Sequence, residues 1–129
     1  MSKVMIVTGA ARGIGAAVAR LAGAKGYDVA INYTRSKEKA EQVVKDIEKS
    51  GRRAVAVQAD IGVEDDVVRM FEVVDKALGP LFALVNNAGI DYETAIEDMS
   101  LDGLKRVYAV NIFGPFLAAR ESKIGRAHV

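Results

Sequence analysis

Short apolar runs alternate along the chain with longer segments of helical periodicity. The runs Val4–Val7, Val29–Ile31, Ala54–Val57 and Leu81–Val85 are continuous, which is typical of strands buried on both faces. Each of the first three runs is followed by apolar positions spaced three and four apart, and a similar pattern fills residues 101–119. The pattern therefore predicts four strands alternating with four helical segments.

The helical segments have apolar faces and recognisable ends. Ser36 stands where it can cap the second helix, and Gly26, Gly51 and Gly79 follow the last periodic residues of the first three helices. The predicted buried faces are Ile14, Ala17, Val18, Leu21 and Ala22; then Ala40, Val43, Val44 and Ile47; then Val67, Val68, Phe71, Val74 and Leu78; and finally Leu101, Leu104, Val107, Tyr108 and Phe113.

This alternation predicts an α/β fold, a Rossmann-like doubly wound parallel sheet. Strands that alternate with helices of this length form right-handed βαβ crossovers. We expect residues 1–122 to be the N-terminal part of a dinucleotide-binding domain that is truncated after the fourth strand and its following helix. The fourth strand would then have an unpaired apolar edge, which favours aggregation.

Composition excludes several classes of site. The 129 residues include 18 Lys and Arg against 17 Asp and Glu, a balance that gives no sign of a nucleic-acid partner. There is no cysteine and the one histidine is His128, so we expect no disulfide, no metal site and no Ser-His-Asp triad. No apolar run approaches the roughly 20 residues of a membrane helix, and we expect no signal peptide because Met1–Lys3 lead directly into the first strand. We expect a cytoplasmic protein without a membrane partner.

A glycine-rich turn, Thr8–Gly15, joins the first strand to the first helix. Gly9 would let the chain turn off the strand, Gly13 would let the backbone approach a pyrophosphate, and Gly15 would let the helix pack closely on the sheet. The helix N-terminus, with Ile14 inside the turn, would then offer free N–H groups to phosphates. The alternative is a tight turn that binds nothing.

The turn and three further motifs resemble the short-chain dehydrogenase/reductase family. TGAARGIG resembles the family's TGxxxGxG, Asp60-Ile61 follows the third strand, Asn86–Gly89 matches NNAG, and Asn111 stands in YAVNIFG. The resemblance covers residues 3–122 and implies hydride transfer between a nicotinamide dinucleotide and a carbonyl or secondary alcohol. It also implies that Asp60 and Ile61 contact adenine, and that Asn111 belongs to the catalytic residues and orders a water through its helix.

Each of these residues also has a purely structural interpretation. Asp60 could cap the helix that follows it, and Asn111 could bend a helix as a polar residue. Asn86 could satisfy buried backbone groups between strands, a role that the family pattern suggests for it. Asn87, together with Gly89, is the better candidate for contact with the cofactor.

The end of the second strand favours NADP over NAD. NAD sites hold the ribose 2′-OH with an acid about 20 residues beyond the glycines, whereas NADP sites use an arginine. The segment INYTRS contains Arg35 and no acid, and Asp28 is at the wrong end of the strand. Arg12, inside the glycine turn, could pair with the same 2′-phosphate. The alternative is that Arg12 and Arg35 are solvated surface charges.

The resemblance implies a catalytic Ser and a YxxxK on a later helix, at positions beyond the last residue of this chain. The single YxxxK, Tyr33–Lys37, lies at the exit of the second strand, so we interpret it as a chance match. The chain by itself is then expected to be inactive, and the alternatives are a non-catalytic dinucleotide-binding module or a fragment without function. We interpret residues 123–129 as a read-through tail, because DNA encoding Ile124–Val129 can match a widely used sequencing adapter.

The substrate cannot be named from this half of the family pattern. NYTRS, LFALVNNAGI and FLAARES resemble the 3-oxoacyl-carrier-protein reductase and glucose 1-dehydrogenase-like members. Asp91–Thr94 would form part of a substrate rim. We expect the full-length protein to be a homo-oligomer that acts on a small carbonyl or alcohol.

Overall fold

The computed structural model describes residues 2–124. The strands are β1 (Lys3–Val7), β2 (Tyr27–Tyr33), β3 (Ala54–Gln58) and β4 (Leu81–Val85). The helices are α1 (Gly13–Ala24), α2 (Lys37–Lys49), α3 (Glu64–Leu78), α4 (Leu101–Tyr108) and α5 (Gly114–Lys123), with a π-helical turn at Ala109–Phe113 and a 3₁₀ turn at Ile96–Asp98. His128 and the predicted tail beyond Ile124 lie outside the described residues.

The four strands form one parallel sheet in the order β3-β2-β1-β4. The chain moves outward from β1 to β2 and β3, and then crosses back to place β4 on the other side of β1. At the carboxyl end of the sheet, Val7 of β1 is in register with Ile31 on one side and Val85 on the other. This arrangement confirms the doubly wound Rossmann-like fold, and its reversal of strand order opens a crevice at that end.

Helices cover both faces of the sheet and create two apolar clusters. On one face α1 and α2 pack against side chains that include Val7, Val29 and Ile31. On the other face α3 and α5 pack against Val4 and Ile6. Because side chains alternate along each strand, β1 contributes to both clusters, as expected for a strand without a solvent face.

Helix α1 buries a different face from the one predicted. Ile14 and Leu21 are 77% and 60% exposed. The buried residues of this helix are instead its small ones, Gly15, Ala16, Ala19, Ala22 and Gly23. Small side chains let the helix axis approach the sheet and α2 closely, and the larger apolar residues are thereby left outside. The periodicity was identified correctly, but the prediction assigned the buried face by side-chain size.

The segment after β4 was also predicted to be more buried than it is. Leu101, Tyr108 and Phe113 are 65%, 53% and 57% exposed. The residues that this helical run buries are instead Val110, Gly114, Ala118 and Glu121. Gly114 makes a close contact, because a Cβ there would overlap Ile61. Of the five residues predicted to be buried here, Leu104 and Val107 are half-buried, whereas Leu101, Tyr108 and Phe113 are exposed.

Asp28 stabilises the end of the sheet opposite the crevice. Its carboxylate is fully buried and accepts hydrogen bonds from the Arg53 backbone at 2.9 Å and the Arg53 guanidinium at 2.9 Å, while Arg52 lies 3.0 Å away. Burial opposes ionisation, but the hydrogen bonds from Arg53 and the charge of Arg52 prevail and lower the pKa of Asp28 below 3.8. Arg53 also donates to the carbonyl of Leu78 at the end of α3, so this residue joins β2, β3 and α3.

No helix among residues 2–124 combines the length and apolar character that crossing a membrane requires.

Candidate functional site

A cavity of about 500 Å³ opens at the carboxyl end of the sheet. The turns that follow β1, β2, β3 and β4 all contribute to it, as does α4, which supplies Arg106. Its walls are Gly9, Ala11, Arg12, Gly13, Tyr33, Thr34, Arg35, Ser36, Asp60, Ile61, Asn87, Ala88, Gly89, Ile90, Arg106 and Val110. The crevice expected from the strand order is therefore present, and eight of the eleven residues predicted for the site line it.

The glycine-rich turn forms one wall of the cavity. Gly9 has a φ of 60°, and a Cβ there would come within 2.9 Å of the Ala88 backbone. Gly13 has a φ of 58°, and nothing lies within 4 Å of where its Cβ would stand, so its backbone is open to a ligand. Gly15 does not line the cavity; a Cβ there would overlap the carbonyl of Gly9, which gives it the predicted role in close packing. Ile14 is also outside the cavity lining.

Thr8 and Asn87 hold the turn after β1 against the turn after β4. The Thr8 hydroxyl accepts from the backbone N–H groups of Asn87 and Ala88, both at 3.0 Å. The Asn87 amide donates to the carbonyls of Thr8 and Gly9 at 3.1 and 3.0 Å. Asn86 is exposed and donates only to Pro115 O at 3.3 Å. The backbone-satisfying role expected of Asn86 is thus performed by Asn87, which also lines the cavity.

The structural role of Asn32 was not predicted from the sequence, which placed the residue only at the carboxyl end of the second strand. Its side chain is 1% exposed and accepts from Gly9 N at 3.0 Å. Its amide donates to the carbonyls of Val57 and Ala59 at 3.4 and 3.1 Å. One buried side chain therefore links the ends of β2 and β3 to the glycine turn. A polar residue inside an apolar strand was the available signal, since a buried amide needs partners.

Three arginines line the cavity, and their partners differ. Arg106 is paired with Asp60, its Nη2 lying 3.0 Å from Oδ2. Within residues 2–124, neither Arg12 nor Arg35 has a carboxylate partner. Arg12 stands at the N-cap position of α1, and Arg35 follows β2. The wall between them is therefore electropositive, and the paired Arg106 contributes little net charge to it.

Asp60 does not cap α3, contrary to the structural alternative considered for it. The N-cap position belongs to Val63. The Asp60 carboxylate instead accepts from Gly62 N at 2.8 Å within its own turn, and its backbone N–H donates to Asp66 at 2.8 Å. Arg106 completes the arrangement from α4. No spacing rule links an acid after one strand to an arginine 46 residues later, so sequence reasoning missed Arg106.

Asn111 lies in the π-helical turn between α4 and α5. Its Oδ1 accepts from Ile90 N and its Nδ2 donates to Ile90 O, both at 2.8 Å. The side chain thereby fixes the segment that follows NNAG, where Gly89 and Ile90 line the cavity. The helix is distorted at the residue where the sequence predicted a distortion, and π turns of this kind occur frequently at functional sites.

The YxxxK match does not form a Tyr–Lys pair at the site. Tyr33 lines the cavity. Lys37 has a side chain that is 71% exposed, and its Nζ is 3.8 Å from Glu41 on the same helix. This geometry supports the interpretation of the match as coincidental.

Comparison with known proteins gives a consistent result. A family model described as short chain dehydrogenase matches residues 3–123. Tetrahydroxynaphthalene reductase of Pyricularia oryzae is 42% identical over 120 residues, which are 93% of this chain and 42% of that protein. A short chain dehydrogenase from Burkholderia cenocepacia, solved in complex with NADP, has a TM-score of 0.90 and 42% identity over 93% of this chain and 49% of that one. A blue fluorescent protein from a metagenomic library, solved with NADPH, has a TM-score of 0.89 and 41% identity over 96% and 51%. The chain spans about half the length of the curated relatives it matches.

Proposed function

The chain belongs to the short-chain dehydrogenase family, and on that premise we propose that it is the NADP-binding N-terminal portion of an oxidoreductase. The full-length protein would transfer hydride between NADP(H) and a small carbonyl or secondary alcohol. The nicotinamide dinucleotide supplies the hydride when it is bound. The residues of this chain bind and orient it.

The observation that carries the choice of NADP is the pair of arginines without carboxylate partners in the described part of the chain. Arg12 and Arg35 both line the cavity, and a guanidinium binds phosphate through a bidentate fork. No acid stands at the end of β2 to accept from a ribose 2′-OH, since Asp28 is committed to Arg52 and Arg53 at the other end of the sheet. Structures of two relatives that contain NADP or NADPH support the same choice.

The remaining walls fit the rest of such a cofactor. Gly13 presents open backbone at the N-terminus of α1, where N–H groups favour phosphate. Asp60 and the largely buried Ile61 both line the cavity, so a purine ring placed there would have an acceptor beside an apolar residue. Asn87 and Gly89 line the floor. Asn111 would act from behind this floor by holding Ile90, and the water-ordering role that the family resemblance gives it stays a prediction.

The substitution Arg35→Asp in the full-length protein tests the choice of cofactor. An acid at this position repels a 2′-phosphate and accepts from a 2′-OH, so we expect NADPH affinity to fall by roughly tenfold or more relative to NADH. Lys39→Asp, the same charge change on the exposed side of α2, is the matched control and should leave the ratio unchanged. Equal cofactor ratios in the Arg35 variant and the parent would refute the role of Arg35.

We propose that the 129-residue chain itself has no turnover and acts at most as a dinucleotide-binding module. Tyr33 and Lys37 form no pair, and general acid–base catalysis typically contributes about 10²–10⁴-fold. Purified chain should therefore bind NADPH without oxidising it in the presence of ketone substrates. Catalytic oxidation that disappears on Tyr33→Phe would overturn this proposal.

We also propose that the full-length protein is a homo-oligomer. Tyr108, Ile112 and Phe116 recur every four residues along the outer face of the helical run and are 53%, 44% and 74% exposed. Leu101 and Phe113 of the same segment are also exposed, and exposed apolar residues grouped in this way mark a protein contact. Sedimentation of the full-length protein as a monomer at micromolar concentration would contradict this proposal.

A further inference from the structure

An ion pair between Arg106 and Asp60 crosses one wall of the cavity. Arg106 Nη1 donates to Asp60 Oδ1 at 3.1 Å, and Arg106 Nη2 lies 3.0 Å from Asp60 Oδ2. Two parallel contacts hold a carboxylate in one plane, whereas a single contact leaves it free to rotate. The pair therefore fixes the orientation of Asp60 and attaches α4 to the turn after β3.

The local hydrogen bonds leave this carboxylate one open acceptor. Oδ1 also accepts from Gly62 N at 2.8 Å, so it receives two donors. A carboxylate oxygen accepts about two hydrogen bonds. Within the described residues, Oδ2 contacts only Arg106, through the 3.0 Å ion pair with Nη2. The remaining acceptor capacity of this cavity-lining side chain is therefore on Oδ2.

The surroundings of Asp60 suit a planar base that carries an amino group. Ile61 and Val110 are both largely buried, and each contributes an apolar edge to the cavity lining. The Asp60 side chain is 23% exposed, so a ligand has access to it while most of its surface is covered. The arginines that are free to bind phosphate, Arg12 and Arg35, belong to other turns. A base against Ile61 and a phosphate at Arg35 is thus the arrangement that the charges favour.

We propose that Arg106 is a positioning residue: it orients Asp60, for which the family resemblance already implies an adenine contact, so that this carboxylate selects the exocyclic amino group of the base. This inference rests on the proposed function, because it assumes that the cavity holds an adenine dinucleotide. Arg106 fixes the plane of the carboxylate and does not touch the base itself. Gly62 leaves room for this ion pair, because a Cβ there would lie 2.9 Å from Arg106 Nη1 and would displace the guanidinium.

The test compares NADPH with its hypoxanthine analogue, in which a carbonyl oxygen replaces the adenine amine. Dissociation constants are measured in the full-length protein and in the variants Arg106→Gln, Arg106→Lys and Lys105→Gln. The parent should prefer the adenine form by about tenfold, the strength of one hydrogen bond to a charged group. Arg106→Gln should reduce that preference to within about threefold. Arg106→Lys should be intermediate, since an ammonium does not reproduce the bidentate pair.

Lys105→Gln is the matched control, because it removes the same charge from an exposed neighbour on α4 that does not line the cavity. Its preference should equal that of the parent. In an Asp60→Asn background, Arg106→Gln should cause no further change in preference, since Arg106 acts through Asp60. Melting temperatures of all variants, measured together, show whether each is folded, and Asp60→Asn tests the acceptor even if Arg106→Gln is unstable.

Three results would overturn the inference. If Arg106→Gln weakens both dinucleotides equally and the preference persists, Arg106 has only a structural role. If the parent binds NADPH but does not distinguish it from the analogue, Asp60 is not the acceptor, and the proposed function stands without this inference. If the parent binds neither dinucleotide, the proposed function fails and the inference fails with it.

Discussion

The two hydrogen bonds between Asn111 and the backbone of Ile90 allow a quantitative prediction for Asn111→Leu. Both bonds are 2.8 Å long, and leucine leaves the N–H and the carbonyl of Ile90 without partners. An orphaned backbone group costs about 1–3 kcal/mol when it is buried. Because Asn111 is only half-buried, water replaces part of the loss, and we expect a total of about 2–3 kcal/mol, or roughly 5–10 °C in melting temperature.

The effect on function separates two roles for Asn111. If it positions the NNAG segment and the π turn for catalysis, turnover per folded molecule of the full-length protein should fall by roughly tenfold or more. NADPH affinity should change by less than about threefold, because Asn111 lies away from the phosphate-binding turn and does not line the cavity. The assay measures melting temperature, NADPH affinity and initial rate on one preparation.

Asn86→Leu is the control for Asn111→Leu. Asn86 is exposed and makes one 3.3 Å hydrogen bond to Pro115, so its loss should cost less than about 0.5 kcal/mol. Normal turnover in a destabilised Asn111→Leu protein would remove Asn111 from the catalytic residues. An unchanged melting temperature would refute the reasoning from the two hydrogen bonds.

Two further predictions concern stability. The pKa of Asp28 is lowered on folding, so its contribution is present above its ordinary pKa of 3.8 and is lost as the pH falls through the lower folded value. Asp28→Asn should therefore cost about 2–4 kcal/mol near neutral pH, because it leaves Arg52 and Arg53 without their partner. It should also reduce the dependence of the denaturant midpoint on pH below about pH 4. A pH dependence equal to that of the parent would contradict this. Gly15→Ala should cost about 1–3 kcal/mol in urea unfolding, because a Cβ overlaps the Gly9 carbonyl; a variant as stable as its parent would show that α1 has room to shift.

The sequence by itself determined the elements, their order and the fold class. Glycines that mark the helix C-termini made this possible: Gly26, Gly51 and Gly79 all have positive φ and follow the ends of α1, α2 and α3. The continuous apolar strands require cover on both faces, and parallel crossovers have one hand, so few topologies remain. The Gly9–Gly13 turn could be placed at the cavity for the same reason, since its function depends on local backbone geometry.

Only the tertiary structure decided which side chains meet. The buried face of α1 is set by how closely the helix approaches the sheet, a distance that periodicity does not encode, and so Ile14 and Leu21 were assigned to the wrong side. Contacts between residues that are distant in the chain decide three further features. These are the exchange of roles between Asn86 and Asn87, the central position of Asn32, and the pairing of Arg106 with Asp60. Hydrogen bonds of this kind form because a buried polar group must find a partner, and the fold determines which partner is within reach.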